Sequence, residues 1–204
     1  RWACGHARAS GDLGVDIPAR WDMVVDTQLC TVIGRDGATV GTIEHLMAAL
    51  AATGVDDCVV EIDGGEVPAM DGSAAPFIFL IECAGLRDAG GPRRAIELTA
   101  PVRVEDDDRS ATLLPNESGD GLSLDFTIDF GCAAIGAQRF VGEADRASFK
   151  RDLSRARTFG RLEDVDRMRA AGLALGGSLD NAIVVDGDKV LNPGGLRYAN
   201  EFVR

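Results

Sequence analysis

Residues 42–54, TIEHLMAALAATG, read as one helix with its stop signal attached. Leu46, Met47 and Leu50 recur at helical spacing, Thr42 offers a side chain able to cap the first turn, and Gly54 suits a left-handed end. The pattern predicts a helix over 43–53. It also sets Glu44 and His45 side by side in the first turn, about 100° apart around the axis. One of them can hold a metal ion while the other faces the water bound to it. Alone, the dipeptide equally describes a capping glutamate beside a half-buried histidine. The metalloprotease signatures do not fit: H-E-x-x-H needs Glu after His, and H-x-x-E-H needs a His where Gly41 stands.

Outward from this helix, β-rich runs alternate with Gly/Asp turns. MVVDTQLCTVIG and DGATVG precede it, and DDCVVEIDG follows as a strand. Asp71, Gly72, Ser73 and Pro76 announce a second helix over 74–84, with Asp71 as its cap and Gly85 as its stop. RDAGGPRR (87–94) is polar and glycine-rich, a linker composition. A second unit begins again with strands, AIELTAPVRVEDD, SATLLPN and GLSLDFTIDF. Helices are expected near 146–154 and near 162–171, the latter ending at Gly172, and NAIVVDGDKVLN closes as a hairpin. Strands followed by helices, twice over, predict an α+β protein of two packed layers. The units are placed at 1–90 and 98–204, joined by 91–97.

Composition narrows the class. The 204 residues are 46% hydrophobic, enough for a packed core. Thirty-three acidic residues against 21 basic ones give a net charge of -12. No Lys/Arg stripe exists to follow a phosphate backbone, so nucleic acid is not an expected partner. No apolar run reaches the roughly 18 residues of a membrane span, and RWACGHARASGDLG lacks a signal-peptide core, so a cytoplasmic protein is expected. Five widely spaced cysteines without a C-x-x-C pair read as reduced thiols. Histidine occurs only at His6 and His45.

TIEHLMAAL (42–50), MDGSAAPF (70–77), ARTFG (156–160), GGSLDNAIVVD (176–186) and LNPGGLRYANEFVR (191–204) resemble, in order, the motifs of the lipid A deacetylase family, and DIPARWDMVVDTQLCT resembles its stretch before the E-H motif. The resemblance implies two α+β domains, each a sheet layered against a pair of helices, with an active-site cleft between them. It implies a zinc enzyme that removes acetate from UDP-3-O-(3-hydroxyacyl)-N-acetylglucosamine. Glu44 takes the place of the general base, His45 that of a zinc ligand, and Thr158 that of the hydrogen-bond donor to the oxyanion. Zinc lowers the pKa of bound water from about 16 towards about 7, where a carboxylate can take its proton. Phe159, Ala174, Ser178, Ala182 and Val184 fall where the family builds a passage for the acyl chain, in an insert near 160–189. Without the family, 182–185 is simply a buried strand. Leu29 matches a position near the cleft, and reads equally well as core. Asp71 reads as structure before catalysis.

Departures from the family matter as much. Catalytic zinc commonly takes three protein ligands plus water, and this chain offers His45. The family's other two, a His directly after E-F-V-R and an Asp four residues later, together with a further His that acts as acid, would lie beyond Arg204. The first dozen residues, His6 among them, show no likeness to the family, and its opening strand is missing from the expected pattern. The sequence is therefore expected to be incomplete at both ends and inactive as it stands. Cys132 stands where the family usually has His-Pro, and Arg161 where an apolar residue is usual, so that Arg161 either turns out of the acyl passage or narrows it. A non-catalytic binder of the nucleotide-sugar or acyl group that has lost its metal is the competing expectation. A dehydratase built on repeated His-His-x-x-Glu units fails, because no two histidines are adjacent.

Overall fold

The computed structural model describes residues 5–9 (as backbone), 14–91, 96–116, 121–170, 172 and 174–204. Strand β1 (Gly5–Ala9) lies between β2 (Val15–Ala19), antiparallel, and β6 (Val59–Ile62), parallel. The expectation that the first dozen residues supply no strand is thereby corrected. That pairing spans about fifty residues of chain, and no local pattern signals it. β3 (Val24–Asp26), β4 (Val32–Arg35) and β5 (Ala38–Val40) form a second antiparallel sheet. Its β4–β5 turn is a two-residue one, Asp36 and Gly37 both at positive φ, the geometry that matches strand twist.

Helix α1 (Glu44–Thr53) occupies almost the expected span, and Gly54 ends it at φ 79°, its N–H returning to Leu50 and Ala51. Thr42 is not its cap. Thr42 sits at φ 57° and its hydroxyl donates to Glu66 Oε2 at 3.3 Å, because Gly41 is bridged to Glu66 and the chain enters the helix from that bridge. Helix α2 (Ala75–Ala84) carries Pro76 in its first turn, as Pro tolerates, and packs on α1. Asp71 does not cap it either; its carboxylate holds Ser73, one turn earlier. Ile17, Ile33, Val40, Ala49, Phe77 and Ile78 form the centre of the first core.

Residues 85–91 carry no regular element, and 92–95 of the expected linker lie outside the described residues. β7 (Val102–Asp106) and β8 (Arg109–Leu113) make a hairpin exposed along both strands. β9 (Ser123–Phe130) and β10 (Gly136–Glu143) make a longer one. The helix expected at 146–154 begins as α3 (Arg146–Ser148), capped by Asp145 Oδ1 on two backbone N–H groups, and continues through Phe149–Leu153 as a wider π-type turn. β11 (Phe159–Arg161), α4 (Leu162–Ala170), β12 (Ile183–Asp186) and β13 (Lys189–Val190) follow, and the order β11-β12-β13 forms the last sheet.

Ile135, Ile183, Val185 and Phe202 make a second core, and Phe140, Leu153 and Val203 a third beside it. Phe149 touches both the first and the third. The class is α+β, its strands distributed over small sheets of two or three. Cys30, Cys58, Cys83 and Cys132 are free thiols, and Cys4 lies outside the described residues. Among the described residues no helix is long and apolar enough to cross a membrane.

Candidate functional site

Glu44 and His45 stand at the start of α1, both half-buried. The backbone N–H of Thr31 donates to Glu44 Oε1, so the segment entering β4 fixes the carboxylate. His45 Nδ1 is buried and has no hydrogen-bond partner among the described residues. Burial pushes the imidazole pKa below its usual value, while the negative charges of Glu44 and Asp71 pull the other way. A neutral imidazole with an unpaired nitrogen has the chemistry of a metal ligand.

The turn at 70–73 faces this helix start. Met70 and Gly72 both take positive φ. Asp71 Oδ1 accepts from the Ser73 N–H and hydroxyl at 3.1 and 2.7 Å, and Oδ2 pairs with Arg197 at 2.9 Å. Burial raises the Asp71 carboxyl pKa, but the Ser73 hydroxyl and the Arg197 guanidinium outweigh it and hold the group below the usual carboxylate range. Gly72 is required twice over. Its φ is +81°, and a Cβ there would lie 2.1 Å from the Asn181 carbonyl oxygen.

Across that close approach sits Thr158. Its N–H donates to Gly72 O at 2.8 Å and its carbonyl accepts from Ile183 N–H at 2.8 Å. The hydroxyl is exposed and makes no hydrogen bond among the described residues. The preceding residue, Arg157, is clamped by Glu201: Nε and the backbone N–H reach Oε1 at 2.9 and 3.1 Å, and Nη2 reaches Oε2 at 3.1 Å. Glu201 Oε2 also accepts from the Arg197 N–H at 2.5 Å. Burial pushes the Glu201 carboxyl up, yet these donors prevail and leave it lowered, and Arg157 is correspondingly raised.

The other expected residues fall in two groups. Phe159 stacks edge-on between Phe130 and Phe202 and packs against the second core, while Val184 is buried in β12 between Ile183 and Val185, which belong to that core. Ala174 and Ser178 are exposed in the loop before β12, Ala174 at φ 51°. Ser178 is tied to Ala182, whose N–H donates to its carbonyl at 3.1 Å. Buried Asn192 stitches this strap down, bonding Leu179 O, Ala182 O and the Val184 N–H. Leu29 is 54% exposed two residues before Thr31, which sets aside the core reading. Arg161 turns outward to Asp164 and Glu163 at the head of α4. The Cys132 thiol donates to Gly187 O in the β12–β13 turn at 3.0 Å.

Asn192, Arg197, Arg157 and Glu201 were not among the expected site residues. A charged Glu beside Phe202 and Val203 at the chain's end was the one available signal, since a carboxylate between apolar residues needs a partner.

Zinc takes three or four ligands, and among the described residues no group of three His, Cys, Asp or Glu side chains is arranged to hold a metal ion. His45 fits as one ligand; the residues present do not complete a site.

The family model for UDP-3-O-acyl N-acetylglycosamine deacetylase matches residues 5–204, so the likeness begins at Gly5 and not after the first dozen residues. Proteins named UDP-3-O-acyl-N-acetylglucosamine deacetylase are similar throughout: one from Anaeromyxobacter sp. (strain Fw109-5) is 51% identical over 95% of this chain and 62% of its own length. One from Acidithiobacillus ferrooxidans is 52% identical over 89% and 59%, and one from Myxococcus xanthus 51% over 93% and 60%. The chain thus spans about three fifths of the length of these relatives. With the E-H helix start, the Asp71 turn and Thr158 gathered as described, the chain belongs to the UDP-3-O-acyl N-acetylglycosamine deacetylase family.

Proposed function

We propose that this chain is the greater part of a zinc-dependent deacetylase of lipid A and hence lipopolysaccharide synthesis, acting on UDP-3-O-(3-hydroxyacyl)-N-acetylglucosamine in the cytoplasm. The observation that carries the reading is the gathering around one turn of a carboxylate and of an imidazole nitrogen and a hydroxyl that have no hydrogen-bond partner among the described residues, in a chain of this family.

The reaction adds water across the acetamide and releases acetate and an amine. Glu44, held by the Thr31 N–H, is the group that takes the proton of the attacking water. Thr158 presents its hydroxyl to the carbonyl oxygen as negative charge develops there. His45 supplies one ligand nitrogen. Zinc, when bound, supplies Lewis-acid activation, with its further ligands assigned to the part of the relatives' length that this chain does not span. Leu29 is assigned to contact with substrate on the rim. Phe159, Ala174, Ser178, Ala182 and Val184 are assigned to the wall of an acyl passage, with Arg161 assigned outside it, a reading that its pairing with Asp164 and Glu163 supports.

The same reading divides the chain at 91–97 into two α+β units with the cleft between them. The buried residues of the first core all precede that segment and those of the other two all follow it, with Phe149 packed against the first and the third, and this supports the division. The test is acetate release from UDP-3-O-acyl-N-acetylglucosamine by a zinc-loaded protein of the relatives' length containing this chain. Turnover is expected. Tight substrate binding without turnover would instead support the non-catalytic binder.

A further inference from the structure

We propose that the Asp71–Arg197 ion pair is the positioning contact that sets the Thr158 hydroxyl against the Glu44–His45 helix start. The inference rests on the deacetylase reading and adds two residues to it.

Thr158 is fixed through its backbone alone. Its N–H is held by Gly72 O and its carbonyl by the Ile183 N–H, both at 2.8 Å, while the hydroxyl makes no hydrogen bond among the described residues. A donor whose backbone is locked and whose hydroxyl is unspent is preorganised for charge that develops later. Its placement therefore depends on where the 70–73 turn stands, and Asp71 governs that turn. One carboxylate oxygen closes the turn on Ser73, and the other reaches across to Arg197 at 2.9 Å.

Arg197 is itself a fixed point. Its backbone N–H donates to Glu201, and its Nη1 donates to Arg155 O at 3.0 Å. Glu201 in turn clamps Arg157, next to Thr158. Asp71 and Glu201 thus each hold a segment that touches Thr158, the 70–73 turn and Arg157, with Arg197 joining them. The ion pair is 25% and 35% exposed on its two side chains, so it adds little to stability. A contact of small energetic weight at this junction acts by registration: a shift of about 1 Å in a reacting group costs up to about a hundredfold in rate.

The test uses the zinc-loaded protein of the relatives' length. Arg197→Met and Asp71→Asn should each lower kcat by about tenfold to a hundredfold with KM changed less than about twofold. Arg197→Lys should recover most of the loss, since one ammonium can meet Asp71 Oδ2. On a Thr158→Val background, Arg197→Met should cost almost nothing further, as expected for two residues acting through one interaction. An unchanged kcat in a folded Arg197→Met or Asp71→Asn variant overturns the proposal, and so does a full additional loss on the Thr158→Val background. A wild-type protein without turnover overturns the deacetylase reading, and the proposal falls with it.

Discussion

Glu201, with no exposed side-chain surface, holds Arg157, 9% exposed, across 44 residues of chain by three hydrogen bonds at 2.9 to 3.1 Å. The guanidinium gives a further bond to Gly195 O. Removing one partner leaves the other buried and uncompensated, which costs about 3 kcal/mol or more. Glu201→Gln should therefore lower the urea midpoint strongly, whereas the double variant Glu201→Leu, Arg157→Met should lose less than Glu201→Gln alone. Equal losses in both would show that the charge pairing carries none of the cost.

The same carboxylate dictates an acid limb. Its folded pKa is depressed below the ordinary 4.5, so in the interval between the two values the unfolded chain binds more protons than the folded one. The stabilisation is complete above about 4.5 and disappears as pH falls through the folded value. Urea unfolding between pH 3 and 6 should show stability declining below about pH 4.5, and Glu201→Gln should flatten that decline. An unaltered acid limb in the variant would remove Glu201 as its source.

Gly72→Ala should be among the most damaging single methyl additions in the chain. The residue is at φ +81°, where an alanine is strained, and its Cβ would meet Asn181 O at 2.1 Å. Strain at a positive φ and a backbone clash together cost about 2 kcal/mol or more. Gly64→Ala, with open space around it and an ordinary φ, is the control and should cost under about 1 kcal/mol. A Gly72→Ala chain as stable as Gly64→Ala would mean that the 70–73 turn does not seat against Asn181.

What was legible in the sequence is what is local. Helices α1, α2 and α4 were readable because their stops are glycines at positive φ, Gly54, Gly85 and Gly172, within one turn of the helix end. Their starts fell within one residue of the expected positions, but the caps did not follow the sequence: the Thr42 hydroxyl goes to Glu66, and the Asp71 carboxylate to Ser73 and the distant Arg197. β1 was missed because its parallel partner β6 lies beyond β2, the β3–β4–β5 sheet and helix α1. At the site, Glu44, His45 and Thr158 stood in recognisable motifs. Arg157, Arg197 and Glu201 acquire meaning only when residues 71, 157 and 201 are brought together, which no spacing rule predicts.

One imidazole cannot hold zinc against water, and among the described residues no group of three His, Cys, Asp or Glu side chains joins His45 in a metal site. After dialysis against a chelator and return of zinc, the 204-residue chain should retain far less than one ion; stoichiometric retention would contradict that. In a protein of the relatives' length the two neighbours at the helix start should separate by role. Glu44→Ala should keep its zinc and lose about 10²-fold or more in kcat, as expected when a proton acceptor is removed from an otherwise assembled site. His45→Ala should lose zinc and turnover together, because an open coordination position weakens the ion's hold before any chemistry begins. Metal content and rate measured on the same samples distinguish the cases. Wild-type turnover in Glu44→Ala would take the proton-accepting role away from Glu44, and the Thr31 N–H that holds its carboxylate would then be a purely structural contact.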